Sequence, residues 1–142
     1  MQKIASFTVD HNLLDPGIYV SRRDGNITTY DLRTRVPNAG DYMDNLTMHS
    51  VEHMLATYAR NSELSDKVVY FGPMGCMTGF YLLLDSVEPK DALPFVVALL
   101  KKVVNEAECM YGAKKEECGN YKMLSLSAAK AECEKYLRVL EN

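Results

Sequence analysis

The sequence predicts a single α+β domain in which an antiparallel sheet packs against helices. The chain has 142 residues, which suits one domain and is short for two, so we expect 1–142 to fold as one unit. Its 47% hydrophobic and 25% charged residues are typical of a folded protein. Strand and helix patterns do not alternate regularly, which favours an antiparallel sheet over a parallel α/β arrangement.

The first half of the chain carries a hairpin signal and a helical pattern. Strands are predicted at 4–9, 18–22 and 27–36. The tripeptide at 24–26, Asp-Gly-Asn, is typical of the turn between two antiparallel strands. Apolar residues then recur at helical spacing from 46 to 60, and Asn45 is the expected cap of that helix.

The second half predicts two strands followed by two helices. The strands are expected at 68–71 and 78–84, and the helices at 90–111 and 127–140. Gly112 is a suitable stop for the first of these helices, and Pro94 must lie near its first turn or bend it. A charged loop at 114–119 precedes the last helix, for which Ser125 or Ser127 is the expected cap.

Composition excludes several classes of function. The formal net charge of -3 gives no basic footprint, so we expect no nucleic-acid partner. No apolar run approaches the roughly 20 residues needed to span a bilayer, and the N-terminal residues lack an apolar signal core. We therefore expect a cytoplasmic protein without a membrane partner. The four cysteines are then thiols rather than disulfides, open to metal binding or catalysis.

The strongest chemical signal is the H-x-x-E-H pattern at 49–53. His49 and His53 are four residues apart, so on a helix they lie one above the other and can share one metal ion. Glu52 falls beside them, where a general base for a metal-bound water or substrate belongs. A catalytic metal usually takes three protein ligands, so a third ligand must come from elsewhere. His11, a cysteine or a downstream carboxylate could supply it.

Two cysteines stand in loops where a thiol can be either functional or packed. Cys76 lies on a tight, glycine-bounded turn between two predicted strands, and Cys118 precedes a glycine at the end of the charged loop. Cys109 and Cys133 fall among apolar residues of predicted helices and are expected to pack in the core. Spacing alone leaves the roles of the two loop cysteines open.

Arg60 lies seven residues after His53, roughly 10 Å further along the same helix at 1.5 Å per residue. A substrate lying along the helix could then meet both the metal and this guanidinium. The alternative is an ordinary surface arginine near a helix end.

Two known families use the H-x-x-E-H order. The inverted zinc peptidases complete the pair with a distant glutamate, but their domains are much larger. The rest of the chain instead resembles the S-ribosylhomocysteine lyase, or LuxS, family. Residues 6–12 resemble its S-F-x-x-D-H-[NT], and 30–38 its F-D-[IL]-R-x-x-x-P-N. Residues 49–56 resemble H-T-L-E-H-L-x-A, 73–81 resemble P-M-G-C-x-T-G-[FY]-Y, and 118–119 match the late C-G.

The resemblance implies a metal-dependent carbon–sulfur lyase. It would split S-ribosylhomocysteine into homocysteine and 4,5-dihydroxypentane-2,3-dione, the precursor of autoinducer-2 in quorum sensing, by successive carbonyl shifts and β-elimination of the thiol. This reaction belongs to the methionine cycle. The resemblance also implies a homodimer with its active sites at the interface. Each subunit would carry one divalent metal, with iron(II) as the working ion and zinc or cobalt as substitutes.

The resemblance also implies roles for particular residues. The metal ligands would be His49, His53 and Cys118, and the proton-transfer residues Glu52 and Cys76. The ribose side of the substrate would be contacted by Ser6, His11 and Arg33, and the homocysteine side by Arg60. An H-x-x-E-H hydrolase of the inverted peptidase type and a structural-metal interaction module are the alternatives.

Two positions depart from the family pattern. Tyr70 stands where the family has an aspartate near the substrate, and Gly72 stands where it has a serine. We expect the departure at Tyr70 to affect how the substrate is held more than the metal chemistry. Tyr70 either contributes aromatic surface to the pocket or points into the core.

Overall fold

The computed structural model describes residues 1–4 and 10–142 of the chain. Among them, four strands form one antiparallel sheet in the order β1-β2-β4-β3. Their bounds are β1 Gly17–Asp24, β2 Ile27–Arg33, β3 Val68–Pro73 and β4 Gly79–Asp85. The α+β class and the antiparallel sheet are therefore confirmed. The strand predicted at 4–9 falls almost entirely on residues outside the described part.

The predicted hairpin is present, since β1 and β2 pair antiparallel on either side of residues 25 and 26. Gly25 takes a φ of +61° in the turn, a conformation that glycine adopts without strain. The strand predicted at 27–36 is β2, and the prediction that it continues to residue 36 is wrong. The backbone N–H groups of Thr34 and Arg35 both donate to the carbonyl of Thr78, at 2.9 and 3.0 Å. These two bonds turn the chain away from the sheet directly after Arg33.

In the described residues three α-helices complete the fold: α1 Asn45–Arg60, α2 Pro89–Asn105 and α3 Leu126–Glu141. The cap of α1 is Asp44 rather than Asn45, since its carboxylate accepts the N–H of Thr47 at 2.7 Å. Ser125 caps α3 as predicted, accepting the N–H of Ala128 at 3.2 Å. Pro94 lies inside α2, whose first residue is itself a proline. No described helix is long and apolar enough to cross a membrane.

The helix predicted at 90–111 ends six residues early. The N–H groups of Glu106 and Ala107 both donate to the carbonyl of Lys102, and Ala107 is buried in the core. This closing turn directs residues 107–111 toward α1 instead of extending the helix. The prediction that Cys109 packs in a helix is therefore wrong, because its thiol is exposed in the segment after α2.

The core lies between one face of the sheet and the helices. Alternate residues of β2 and β4 face it, among them Tyr30, Leu32, Phe80, Leu82 and Leu84, each at most 1% exposed. Burial of each such side chain stabilises the fold by about 1.5–3 kcal/mol. Cys133 joins this core as predicted, and burial raises the pKa of its thiol to about 12.

Gly79 is required where β2 and β4 meet, opposite Arg33. A Cβ at this position would lie 2.5 Å from the backbone carbonyl oxygen of Leu32, which cannot move without parting the strands. We expect Gly79→Ala to lower the free energy of unfolding by about 1–3 kcal/mol in urea denaturation. Gly75→Ala is the matched control, because a Cβ there meets nothing within 4 Å. Equal stability of the two variants would contradict the prediction.

Candidate metal and catalytic site

Helix α1 places His49 and His53 one turn apart, with ring centroids 4.5 Å from each other. The Nδ1 of His49 lies 2.8 Å from the carbonyl oxygen of Met123, and that of His53 lies 2.9 Å from the carbonyl oxygen of Tyr111. A carbonyl can only accept a hydrogen bond, so each Nδ1 carries the proton. In the neutral form of each ring, Nε2 then has a free lone pair that can bind a metal.

Cys118 completes a group of three potential ligands. Its Sγ lies 3.3 Å from Nε2 of His49, and the ligand atoms of His49, His53 and Cys118 all lie within 4.8 Å of one another. Tetrahedral ligation at ordinary zinc distances separates a nitrogen and a sulfur ligand by about 3.5 Å. The residues present therefore fit a divalent metal. In the part of the chain that the structure describes, no other His, Cys, Asp or Glu group of this kind occurs, and His11 does not belong to this one.

Gly112 has a different role from the helix stop predicted for it. It follows Tyr111 with a φ of +68°, and a Cβ there would lie 2.8 Å from Nδ1 of His53. The glycine therefore lets the chain turn closely past the imidazole so that the carbonyl of Tyr111 can meet it.

Glu52 lies between the two histidines on α1 and is half-buried. Within the described residues, its carboxylate forms neither a hydrogen bond nor an ion pair. A carboxylate held on the metal-bearing helix and left without a fixed partner can accept and return protons.

Cys76 stands on the turn between β3 and β4 and is exposed rather than packed, which were the two alternatives that the sequence left open. The N–H of Met77 donates to the carbonyl of Met74 at 3.0 Å and closes the turn, and Met77 takes a φ of +63°. The sulfur lies 3.0 Å from the hydroxyl of Thr78 and 3.8 Å from a guanidinium nitrogen of Arg33. The thiol therefore lies beside polar groups, one of them a guanidinium.

Arg33 is only 1% exposed, although the sequence gives no sign that it is buried. Its guanidinium forms a two-point ion pair with Asp31, at 2.5 and 3.1 Å, and donates to the hydroxyl of Thr78 at 2.8 Å. Burial raises the pKa of the Asp31 carboxyl, and Arg33 and a nearby His11 offset part of that rise. The structure thus brings Arg33, His11 and Cys76 to one region. Ser6 lies outside the described residues.

The side chain of Arg60 is held at the end of α1 by hydrogen bonds to backbone carbonyls of β3. Its guanidinium donates to the carbonyls of Val68 and Val69, at 2.8 and 3.0 Å. The last turn of α1 is thereby joined to the start of β3, next to Tyr70.

Tyr70 is 50% exposed, so it does not point into the core. Its phenol lies across Gly72 on the sheet face opposite the helices, where any Cβ at position 72 would overlap the ring. The two departures from the family pattern are therefore linked, because this position of Tyr70 requires glycine at 72. The ring also borders a cavity of about 340 Å³ lined in addition by Arg22 and Tyr81.

Fold and site together define a small α+β protein with a candidate mononuclear metal centre of two imidazoles and one thiolate. The family model described as S-ribosylhomocysteinase (LuxS) matches residues 4–142. The chain is 48% identical to the S-ribosylhomocysteine lyase of Borreliella afzelii, 44% to that of Desulfotalea psychrophila and 44% to that of Finegoldia magna. Each alignment covers 100% of this chain and 94% of the relative. This chain belongs to the LuxS family.

Proposed function

We propose that this protein is an S-ribosylhomocysteine lyase, which cleaves its substrate to homocysteine and 4,5-dihydroxypentane-2,3-dione. The observation that carries the proposal is the convergence of His49, His53 and Cys118, a ligand set that suits the family's metal chemistry, in a chain whose residues 4–142 match the family model. The inverted peptidase is disfavoured because the third potential ligand is a thiolate rather than a glutamate.

His49, His53 and Cys118 would hold one divalent metal, with iron(II) as the working ion and zinc or cobalt as substitutes. When bound, the metal would polarise the sugar carbonyl and make the neighbouring carbon-bound protons acidic. The mixed nitrogen and sulfur ligand set suits either iron(II) or zinc. Among the described residues three potential ligands converge, so a coordination position would remain for the substrate.

Glu52 and Cys76 would move the protons. The half-buried Glu52 lies on the same helix as both histidines, and Cys76 is exposed beside the cationic Arg33. Two carbonyl shifts along the sugar each need one proton removed from carbon and one returned. In the final step a third proton is removed, the carbon–sulfur bond breaks, and homocysteine leaves as a thiolate that is then protonated. The enol that remains becomes the dione when its oxygen loses a proton and its terminal carbon gains one. Atoms balance without a co-reactant.

The ribose side of the substrate would lie against Arg33 and His11, with Ser6 as the third contact. The buried ion pair with Asp31 supports this role for Arg33, because it fixes the direction of the guanidinium while one nitrogen remains near Cys76. The homocysteine side would lie toward Arg60 and Tyr70. Arg60 contributes there by holding the start of β3 in place as well as by its charge.

The proposal includes a cytoplasmic homodimer with active sites at its interface. The exposed aromatic side chains of Tyr19 and Tyr70, on the sheet face opposite the helices, support association through that face. Light scattering of the purified protein tests the dimer. The product would feed autoinducer synthesis, and the released homocysteine would return to the methionine cycle.

A direct assay tests the proposed activity. Protein loaded anaerobically with iron(II) is mixed with S-ribosylhomocysteine, and free thiol is followed with a colorimetric reagent. We expect steady homocysteine release that stops after chelation and returns with added metal. No release by metal-loaded protein would overturn the proposal. Metal-dependent cleavage of peptides would favour the hydrolase instead.

Tyr70 provides a test of how the amino-acid part of the substrate is held. A tyrosine hydroxyl can offer a cationic amino group only a neutral hydrogen bond, which is weaker by about 1 kcal/mol than one to a carboxylate. We expect Tyr70→Asp to tighten binding of S-ribosylhomocysteine by about fivefold, but not binding of an analogue that lacks the amino group. Steady-state kinetics on both substrates measure this difference. Equal effects on the two would show that Tyr70 does not contact that group.

A further inference from the structure

We propose that Ser50 and Tyr58 are positioning residues for the metal centre. They fix the two ends of the segment 111–125, which carries Cys118 between α2 and α3, against the helix that carries the histidines. The inference rests on the metal site of the proposed function, but not on the identity of the substrate.

Ser50 fixes the C-terminal end of the segment. It follows His49 directly and is completely buried on α1. Its hydroxyl donates to the carbonyl of Leu46 at 2.7 Å and accepts the backbone N–H of Ser125 at 2.8 Å. Ser125 lies two residues after Met123, whose carbonyl binds His49. One hydrogen bond thus sets the start of α3 at the same helical turn as the first metal ligand.

Tyr58 fixes the N-terminal end. Its ring meets that of Tyr111 edge to face, with centroids 5.5 Å apart and an angle of 89° between the planes. The two hydroxyl groups lie 3.4 Å apart. The backbone carbonyl of the same Tyr111 binds Nδ1 of His53. Packing of the two rings therefore places the carbonyl that orients the second metal ligand.

The two contacts flank the site symmetrically. Cys118 lies seven residues from Tyr111 and seven from Ser125. Ser50 and Tyr58 are about 12 Å apart along α1, at 1.5 Å per residue. Because both ends are fixed, Cys118 meets the two imidazoles without the entropy loss of ordering a free loop. Loss of the partners that orient metal ligands typically weakens metal binding by about 10–100-fold.

Binding of cobalt(II) alone tests the inference. We expect Ser50→Ala and Tyr58→Leu to weaken cobalt affinity by about 10–100-fold, measured by competition with a chelator. The absorption band from thiolate to cobalt should also lose intensity, because Cys118 reaches the metal less completely. Tyr58→Phe should bind nearly as tightly as the unaltered protein, since it keeps the ring contact.

Ser62→Ala is the matched control. Ser62 lies just after the end of α1, where its hydroxyl donates to the carbonyl of Ala59 at 2.7 Å and accepts the backbone N–H of Leu64 at 3.2 Å. Neither partner belongs to the segment 111–125 or to the metal ligands. We expect its cobalt affinity and spectrum to be unchanged. Normal affinity and spectrum in folded Ser50→Ala and Tyr58→Leu would overturn the inference, even if both variants unfold more easily. No substrate is used, so failure of the lyase assay does not affect this test.

Discussion

Replacing Cys118 by alanine is expected to leave a folded protein with almost no bound metal. The substitution removes the thiolate from a group of three potential ligands and leaves two imidazoles on α1. Two neutral ligands hold a divalent ion far more weakly than a set completed by an anion, so the loss should exceed the roughly 100-fold expected from positioning residues. His49→Ala and His53→Ala should behave alike. Metal content after purification and equilibrium dialysis against zinc or cobalt measure the effect.

Cys109→Ala is the control for this experiment. The thiol of Cys109 is exposed and is not one of the three potential metal ligands. The control should keep full metal content, and circular dichroism should show that every variant is folded. If Cys118→Ala retained full occupancy, the third ligand would have to be a carboxylate, and the peptidase would again become the better interpretation.

Those parts of the fold that depend on local sequence were predictable. The Asp-Gly-Asn turn specified the first hairpin, and helical spacing specified α1 to within one residue. The end of α2 was not predictable, because residues 106–111 retain an apolar helical pattern. The helix ends where Ala107 becomes buried in the core, and such a tertiary contact leaves no signal in a local pattern.

Those parts of the site that belong to the side-chain motif were also predictable. The H-x-x-E-H spacing indicated His49, His53 and Glu52, while the third ligand required the resemblance to a family. The groups that orient the histidines were not predictable, because they are the backbone carbonyls of Tyr111 and Met123, and every residue has a carbonyl. Ser50 lies inside the motif, but its bond to Ser125 joins residues 75 positions apart.

The burial of Arg33 also could not be predicted, because it depends on residues far away in the sequence. From the sequence it is one cation near the end of a strand, whereas in the structure it is nearly inaccessible and paired with Asp31. The turn between β3 and β4 supplies both Thr78 and Cys76 to its surroundings. Its position beside the thiol therefore arises from strand pairing.

Replacing either proton-transfer residue is expected to abolish turnover while the metal stays bound. Glu52→Gln keeps the size of the side chain but removes its basicity, and Cys76→Ala removes the thiol. Neither residue is one of the three potential metal ligands. Loss of a general acid or base typically lowers the rate by about 10²–10⁴-fold, so kcat should fall by this amount with little change in metal content. Thiol release from S-ribosylhomocysteine measures the rate.

Matched variants separate this chemistry from general damage. Glu134→Gln alters a surface carboxylate paired with Arg138, and Cys109→Ala removes another exposed thiol; both should keep normal turnover. Alkylation gives an independent measure, because exposed Cys76 should react much faster than Cys133, which is buried in the core. Near-normal kcat in Cys76→Ala would show that Cys76 takes no part in proton transfer. The proton transfers would then have to be assigned to Glu52 and another group near Arg33.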